Sequence, residues 1–382
     1  MDVDHSIQMP QGEPAHALQY DGRVGEIYPI FLMNLLLTIV TFGIFRFWAI
    51  TRMRRYVWSR TSFQGQRLNY TGRGGELFVG FMLAGVVLGA LGATAVGLAE
   101  LLKRVDEQLA VVPFLVLYLV ILVLALGAPY SAQRYRLSRT EWCGIRGGMR
   151  GSMLAYGLRS LLYWLLTPLT LFQLIPWVQL RLTERRINAS SLGSAQFSAQ
   201  FSAGRVYGRF LVAIIGTVLL AGVIGGVGWT IAGPMLAEQQ RYLQAMHGHP
   251  PDGPASNMAI QLIILLVTAE LTFFLGAAMI GAAYQALMLR HMADNTALGP
   301  VQLSGRFTAL GLLWLVVGNL LITVFTLGFG YPFALQRYAR YVTGNLCATG
   351  SLDPATLSQS EQRAPRFGEG MFQQLDAGGG IF

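Results

Sequence analysis

Long apolar runs alternate along this chain with short polar stretches that are rich in arginine. The runs 84–98, 111–126, 210–231 and 260–289 are almost uncharged and lie within segments of twenty or more residues. About 20 apolar residues in a helix cross the hydrocarbon core of a bilayer. The pattern therefore predicts two pairs of transmembrane helices, over residues 77–133 and 206–289.

Composition supports a membrane protein. The 382 residues are 53% hydrophobic and only 12% charged, whereas soluble domains carry about 25% charged residues. A net charge of +9 is also found in proteins that bind nucleic acid. Here, however, the arginines cluster beside the apolar segments, as the positive-inside rule describes for membrane proteins. We expect an all-α polytopic membrane protein that binds no nucleic acid.

One motif occurs three times, in copies at 28–60, 154–190 and 311–345. Its first and third copies share the same spacing throughout, and the middle copy is more divergent. The first contains Asn34, Thr38, Thr41, Gly43, Trp48, Arg52, Arg55 and Tyr56; the middle contains Thr167, Thr170, Pro176, Trp177, Arg181 and Arg185; the third contains Asn319, Thr323, Thr326, Gly328, Pro332, Arg337, Arg340 and Tyr341. Such self-similarity indicates an internally repeated helical bundle.

Each motif copy is expected to break its helix. The break is predicted at a Thr-x-x-Thr-x-Gly pattern, or its degenerate middle form, followed by proline or an aromatic–tryptophan pair. Arginines flank both ends of the middle copy, and the apolar arm of the first is too short to span. The interpretation is a re-entrant segment; the alternative is seven ordinary spanning helices. Alternation around Gly65 also predicts a short cytoplasmic β-hairpin over 61–71.

The domain boundaries follow from polarity. Residues 1–19 form a polar N-terminal segment, and residues 20–350 form the repeated membrane domain. Residues 236–258 read as an insertion in an outer loop, because the loop of the other helix pair is shorter. Residues 351–382 are predicted to be a flexible polar tail. Both termini are expected in the cytoplasm.

The motif residues resemble the YjgN family of bacterial inner-membrane proteins. The resemblance rests on residues 34–43, Trp48, the run 52–56, and Gly65-x-x-Leu68-x-Tyr70, with a family-like ending at Gly368-Glu-Gly370, Asp376 and Phe382. The middle copy departs from the pattern, because Phe172 replaces the glycine and Glu184 replaces an arginine. The resemblance implies a multi-pass inner-membrane protein, and it implies no particular activity.

Three intramembrane polar residues are candidates for function. Glu270 lies near the expected midplane of its helix, where a carboxylate costs roughly 2.5–3.5 kcal/mol and should face the bundle interior. It is either a proton- or cation-coupling site or a neutral carboxyl hydrogen-bonded to a neighbouring helix. Asn34 and Asn319 either satisfy the backbone at the helix break or line a polar path.

Arginine beside aromatic residues suggests contact with anionic lipid headgroups. The candidates are Trp48, Arg52, Arg55, Tyr56, Trp177, Arg181, Arg337, Arg340 and Tyr341. Simple anchoring at the interface would produce the same pattern, so that alternative stays open. The bilayer itself is the expected partner, and a homo-oligomer or a membrane-protease partner is possible.

No catalytic, cofactor or metal motif is present in the sequence. His247 and His249 lack a visible third ligand, and Cys143 and Cys347 are isolated. We therefore expect a protein that is not an enzyme and holds no cofactor. Broken helices in repeated units favour a transporter- or channel-like protein for a small solute, ion or lipid. The alternative is a non-transporting scaffold, or a partner of a membrane protease or envelope-stress system.

Overall fold

The computed structural model describes residues 15–245 and 254–360. Four helices are long and apolar enough to span a membrane: α3 (Gly74–Lys103), α4 (Val112–Ser138), α7 (Gly204–Ala245) and α8 (Pro254–Asp294). They fall where the two helix pairs were predicted, and the chain is mainly helical, as a polytopic membrane protein should be.

Six shorter helices form three hairpins at the motif copies. They are α1 (Val24–Val40) with α2 (Arg46–Ser59), α5 (Met153–Leu169) with α6 (Ile175–Asn188), and α9 (Ala309–Phe325) with α10 (Tyr331–Asn345). Each first arm has 17 residues, which corresponds to about 25 Å of helix. The first arm is mainly apolar and the second carries most of the arginines, although Arg159 lies on α5.

The short strands between the helices pair with one another and form one sheet. In chain order they are β1 (Ala15–His16), β2 (Leu18–Tyr20), β3 (Thr61–Phe63), β4 (Gln66–Tyr70), β5 (Thr140–Trp142), β6 (Ile145–Met149), β7 (Ser190–Leu192), β8 (Ala195–Ala199), β9 (Thr296–Leu298), β10 (Val301–Gly305) and β11 (Leu346–Thr349). All pairings are antiparallel, in the order β1-β11-β10-β9-β8-β7-β6-β5-β4-β3-β2. The hairpin expected around Gly65 appears as β3 and β4.

The sheet closes on itself. Strands β1 and β2 are separated only by Ala17, yet β1 pairs with β11 and β2 pairs with β3. Along the ring, tight turns alternate with helical hairpins. Each helical hairpin leaves from one strand and returns at that strand's neighbour, so both of its ends lie at the same sheet.

Alternate strand residues fill the interior of the ring with apolar side chains. Phe63, Trp142, Leu298 and Val301 are buried there, because the two-residue period of a strand sends every second side chain inward. Trp142 donates its indole N–H to the Phe63 carbonyl at 3.0 Å. A cavity of about 200 Å³ remains among these residues.

The segment that follows β11 crosses the turns of the sheet. Leu352 is buried against the sheet interior, and its N–H donates to the Gln64 side chain at 3.1 Å. Further along, the Ser194 N–H donates to the Ser358 carbonyl at 3.1 Å. The expectation of a flexible tail over 351–382 is therefore wrong for residues 351–360, because their leucines complete the apolar core. Residues 361–382 lie outside the described part.

Two other predicted boundaries change. Residues 15–19 were assigned to a polar N-terminal segment, but they belong to the sheet because Ala17 faces its interior. The expected loop insertion at 236–258 is partly helix, since α7 runs to Ala245 and α8 starts at Pro254. His247 and His249 lie outside the described residues.

The chain divides into two compact units. The first comprises residues up to 203, residues 290–306 and residues from 318 onward, and it contains the whole sheet. The second comprises Gly204–Leu289 and Phe307–Val317. In the second unit α7 and α8 pack as an antiparallel pair, with the Phe210 and Tyr284 ring centroids 5.5 Å apart and Gly276 beside Leu220.

Candidate functional site

The Thr-x-x-Thr-x-Gly pattern builds the turn of the first helical hairpin. The Thr41 hydroxyl donates to the Leu37 carbonyl at 2.7 Å and accepts from the Phe45 N–H at 2.9 Å. One hydroxyl thus joins the last turn of α1 to the first turn of α2. Gly43, at φ +89°, reverses the chain in a conformation that glycine adopts without strain.

The third turn uses the same hydrogen bonds, and in the middle turn the Thr170 hydroxyl donates instead to the Thr167 carbonyl at 2.9 Å. Thr326 donates to the Ile322 carbonyl at 2.5 Å and accepts from the Gly330 N–H at 2.7 Å. In the middle copy Thr170 accepts from the Leu174 N–H at 3.3 Å. In each copy the backbone carbonyl of the first threonine accepts a hydrogen bond from the N–H of the residue at which the chain reverses. The distances are 2.7 Å from Gly43 to Thr38, 3.0 Å from Phe172 to Thr167 and 2.8 Å from Gly328 to Thr323.

The two candidate asparagines bridge their hairpins. The Asn34 amide donates across to the Ala49 carbonyl at 3.4 Å, and the Asn319 amide donates to the Ala334 carbonyl at 3.2 Å. Both side-chain carbonyl oxygens are buried and have no partner among the described residues. Pro176 and Pro332 open the second arms at a position where no N–H is needed. The two asparagines therefore hold together the arms of the first and third hairpins.

Tyr56 joins the two ends of the first hairpin at its base. Its hydroxyl accepts from the Arg23 N–H at 2.9 Å and lies 3.0 Å from the Glu26 carboxylate, to which it donates. Burial, together with the Glu26 hydrogen bond, raises the pKa of Tyr56. The hydroxyl therefore keeps its proton at neutral pH.

Equivalent side chains tie each motif hairpin to the following segment of the ring. Arg55 donates to the Gly72 carbonyl at 3.2 Å, and Arg340 donates to the Gly22 carbonyl at 3.0 Å. The middle copy has Glu184 at this position, and its carboxylate accepts from the Phe201 N–H at 3.2 Å. The charge is reversed, but the link to the next backbone segment is kept.

A cleft opens at the base of the first hairpin. This first cleft has a volume of about 530 Å³ and is lined by Pro29, Ile30, Met33, Arg52, Arg55, Tyr56 and Ser59. The Arg52 guanidinium lies 4.9 Å from the centroid of the Phe45 ring. The walls are mainly apolar, and the two exposed guanidinium groups provide the positive charge.

A more strongly charged cleft lies at the base of the second hairpin. This middle cleft has a volume of about 580 Å³; its lining includes Tyr130, Arg150, Tyr156, Arg159, Tyr163, Trp177, Arg181, Glu184, Arg185 and Asn188. Arg159 and Tyr163 are four residues apart and therefore lie on one face of α5. In the same way, one face of α6 carries Trp177, Arg181 and Arg185. Both faces line the cleft. The Tyr163 and Trp177 ring centroids are 5.0 Å apart.

The arginines of the middle cleft differ in how they are held. Arg181 pairs with Glu184 at 3.0 Å, and Arg185 reaches the Tyr163 hydroxyl at 3.4 Å. Arg150 and Arg159 are exposed, and in the described part of the chain their guanidinium groups make no hydrogen bond or ion pair. Arg159 was not singled out from the sequence, although its four-residue spacing from Tyr163 was a usable signal.

The remaining headgroup candidates occupy packed positions. Trp48 lies between α2 and α3, with its ring 5.7 Å from that of Phe78. The Arg337 guanidinium lies directly over Gly318 on α9, and Tyr341 is half-buried. Arg340 of the third hairpin is exposed, but the first and middle clefts are lined by candidates of the other two hairpins.

Glu270 does not face a helix interface within its unit. It is exposed on α8, because the face of α8 that packs against α7 is the one carrying Gly276, Ile280 and Tyr284. The expectation that Glu270 faces a neighbouring helix is therefore wrong for the α7–α8 pair. Within the described ranges, no group of three His, Cys, Asp or Glu residues could hold a metal ion.

Comparison with known proteins gives consistent matches to one group. The model of the family DUF898, described as bacterial protein of unknown function, matches residues 15–374. The inner membrane protein YjgN of Salmonella typhimurium is 23% identical over 390 residues, covering 91% of this chain and 92% of that protein. YjgN of Escherichia coli K12 is 36% identical over 66 residues, 17% of each chain. No solved structure matches the chain.

Proposed function

Because the chain belongs to the DUF898 family of bacterial proteins of unknown function, and is an inner-membrane protein like its YjgN relatives, we propose that it is a transporter-like protein that moves lipid. The observation that carries the proposal is the composition of the first and middle clefts. Each joins guanidinium groups to apolar or aromatic walls at the base of a helical hairpin. This combination suits an amphiphile with an anionic head.

The position of the hairpins in the membrane is inferred from the sheet. All described helical hairpins start and end at neighbouring strands of one closed sheet, so each should return to the side it left. Seven single crossings would separate strands that are hydrogen-bonded to each other. Arms of about 25 Å are also shorter than a hydrocarbon core of about 30 Å. The motif hairpins are therefore proposed to re-enter, with the sheet and the arginine-rich stretches of the chain in the cytoplasm.

Re-entrant hairpins give a lipid a route along a protein surface. Non-helical backbone at membrane depth requires protein or water around it, and here the threonine hydroxyls satisfy part of each turn. A headgroup bound in a basal cleft could move along such a hairpin while its acyl chains stay in the bilayer. Solute and ion transport receive less support, because Asn34 and Asn319 are used to bridge their hairpins and Glu270 is exposed.

A non-transporting scaffold is the second candidate, and a separate observation favours it. The polar motif residues form hydrogen bonds within the hairpins or link each hairpin to the next segment of the ring. Arg55 and Arg340 are examples of such links. Such a protein would present the closed sheet to a cytoplasmic partner, which could be a membrane protease or an envelope-stress component. It would bind lipid without moving it.

A lipid-movement assay separates these candidates. The purified protein is reconstituted into vesicles containing phosphatidylglycerol with a fluorescent headgroup label, and a membrane-impermeant reductant bleaches the outer leaflet. We expect bleaching to continue into the inner-leaflet pool, and to slow in Arg181→Gln. Arg104→Gln, which removes an exposed arginine between α3 and α4, is the matched control. Bleaching equal to that of protein-free vesicles, with correct insertion verified, would exclude lipid movement and leave the scaffold.

The topology can be tested on the native cysteines. Cys143 is exposed at the β5–β6 turn and Cys347 is buried. A membrane-impermeant maleimide should label Cys143 in spheroplasts only after permeabilisation, and it should label Glu107→Cys, on the opposite loop, in a Cys143→Ser background without permeabilisation. Labelling of Cys143 in intact spheroplasts would contradict a cytoplasmic sheet.

A further inference from the structure

The middle cleft carries positive charge that the other motif copies lack. Aligning the copies on Arg52, Arg181 and Arg337 places Ile30 and Leu315 at the position of Arg159. The same alignment places Tyr56 and Tyr341 at the position of Arg185. The hairpin that has diverged most from the motif has therefore acquired two arginines, and both line one cavity.

Of these two arginines, Arg185 reaches the Tyr163 hydroxyl across the hairpin, but the hairpin fold does not explain Arg159. The turn is held by Thr167 and Thr170, and the link to the next segment is made by Glu184. Arg150 and Arg159 are exposed, and among the described residues neither guanidinium group has a protein partner. Placing like charges around one cavity is unfavourable unless an anion compensates them.

The geometry selects the class of anion. Four guanidinium groups and one carboxylate line the cavity, so an anion with more than one negative charge is favoured. Glu184 forms an ion pair with Arg181 and orients its guanidinium group. Arg159 on α5 and Arg150, which follows β6, line other walls of the cleft. The planar fork of arginine suits two oxygens of a phosphate group.

We infer that the middle cleft is a binding site for a phosphate-bearing ligand, held by Arg150, Arg159 and Arg185, and that this anion is a phosphomonoester or a diphosphate. The inference rests on the proposed function in that the phosphate would belong to a lipid headgroup. Tyr163 and Trp177 supply the apolar wall at which the glycerol or acyl part of such a lipid leaves the cleft. A soluble phosphate compound shares the same chemistry.

Binding is measured on the full-length protein by thermal unfolding in detergent and in nanodiscs. The soluble probes are inorganic phosphate, pyrophosphate and glycerol phosphate; the lipid probes are nanodiscs of phosphatidylcholine alone or with phosphatidic acid. Arg159→Gln and Arg150→Gln remove unpartnered, exposed groups, so the fold should persist. Arg159→Lys keeps the charge without the fork, and Arg104→Gln is the matched control. Removing a charge-assisted hydrogen bond costs about 1.5–3 kcal/mol, so affinity should fall about tenfold or more in the glutamine variants.

The outcomes separate the source of the phosphate and the two proposals. Stabilisation by phosphatidic acid that is lost in Arg159→Gln but kept in Arg104→Gln supports a headgroup site. The same pattern with pyrophosphate or glycerol phosphate alone supports the site with a soluble ligand. No stabilisation by any probe, or equal stabilisation of all variants, overturns the site. Binding without lipid movement would refute the proposed function alone, and lipid movement without stabilisation by any of the phosphate probes would refute this inference alone.

Discussion

Replacing Gly43 by alanine tests the left-handed turn of the motif directly. Gly43 has φ +89°, and a Cβ built there meets no atom within 4 Å. The substitution therefore introduces no clash, and its cost is that of the backbone conformation alone. A left-handed conformation costs a non-glycine residue about 1–2 kcal/mol. Alanine also restricts the unfolded chain and returns about 0.5–1 kcal/mol, so the net loss should be about 1 kcal/mol.

The assay is thermal unfolding of the purified protein in one detergent, with a control of opposite sign. Gly89 lies inside α3 and also has open space around a built Cβ, so Gly89→Ala should stabilise by about 0.5–1 kcal/mol through helix propensity. Gly328, with the same φ of +89°, should respond as Gly43 does. For a chain of this size a loss of 1 kcal/mol lowers Tm by roughly 2 °C.

If Gly43→Ala raised Tm as Gly89→Ala does, residue 43 could not occupy the left-handed conformation, and the turn would have to be built differently. The middle copy provides an independent check, because Phe172 occupies the equivalent position at φ +64°. Phe172→Gly should relieve strain there and leave Tm unchanged or higher.

Three further predictions use the same unfolding assay. Thr41→Val removes the hydroxyl that satisfies the Phe45 N–H and should lower the free energy of unfolding by about 1–3 kcal/mol. The Thr94 hydroxyl bonds only to a carbonyl within α3, so Thr94→Val should lower it less. Equal losses in the two variants would contradict a bridging role for Thr41. Leu352→Ala removes a buried side chain from the sheet interior and should destabilise by roughly 2 kcal/mol or more, whereas no change would mean that residues 351–360 do not pack there. The Arg67 hydrogen bond lowers the pKa of Asp21, so the carboxylate's contribution is present at neutral pH and is lost as the pH falls below about 4. Arg67→Gln should abolish this component, and an unchanged acid profile would show that the pair is insignificant.

The membrane character and the hairpin turns could be read from the sequence because they depend on local patterns. Run length and low charge are enough to place α3, α4, α7 and α8. The Thr-x-x-Thr-x-Gly pattern marks the turns because its hydrogen bonds join residues no more than five positions apart. Hydroxyl and backbone groups at such spacing meet in any helix that ends there.

The candidate site was only partly accessible to sequence reasoning. Arg52, Arg55 and Arg181 were identified from the repeated motif, and they line the first and middle clefts. Arg159 was not predicted because the motif contains only positions that the copies share, and the other two copies have no arginine at this position. Glu270 was assigned to a bundle interior on hydropathy alone, which cannot tell which face of a helix packs against its neighbour.

The sequence alone determined that this chain is an inner-membrane protein with four long apolar helices and three interrupted ones, since hydropathy and turn chemistry act within one segment. Only the tertiary structure decided that short strands, far apart along the chain, pair into a closed ring. Those pairings bring residues 15–20 against both β3 and β11, and strand segments of two to five residues carry too weak a pattern to predict their partners. The pairing of neighbouring strands returns each helical hairpin to the same sheet, and the middle hairpin brings arginines from α5, α6 and the residue after β6 into one cleft.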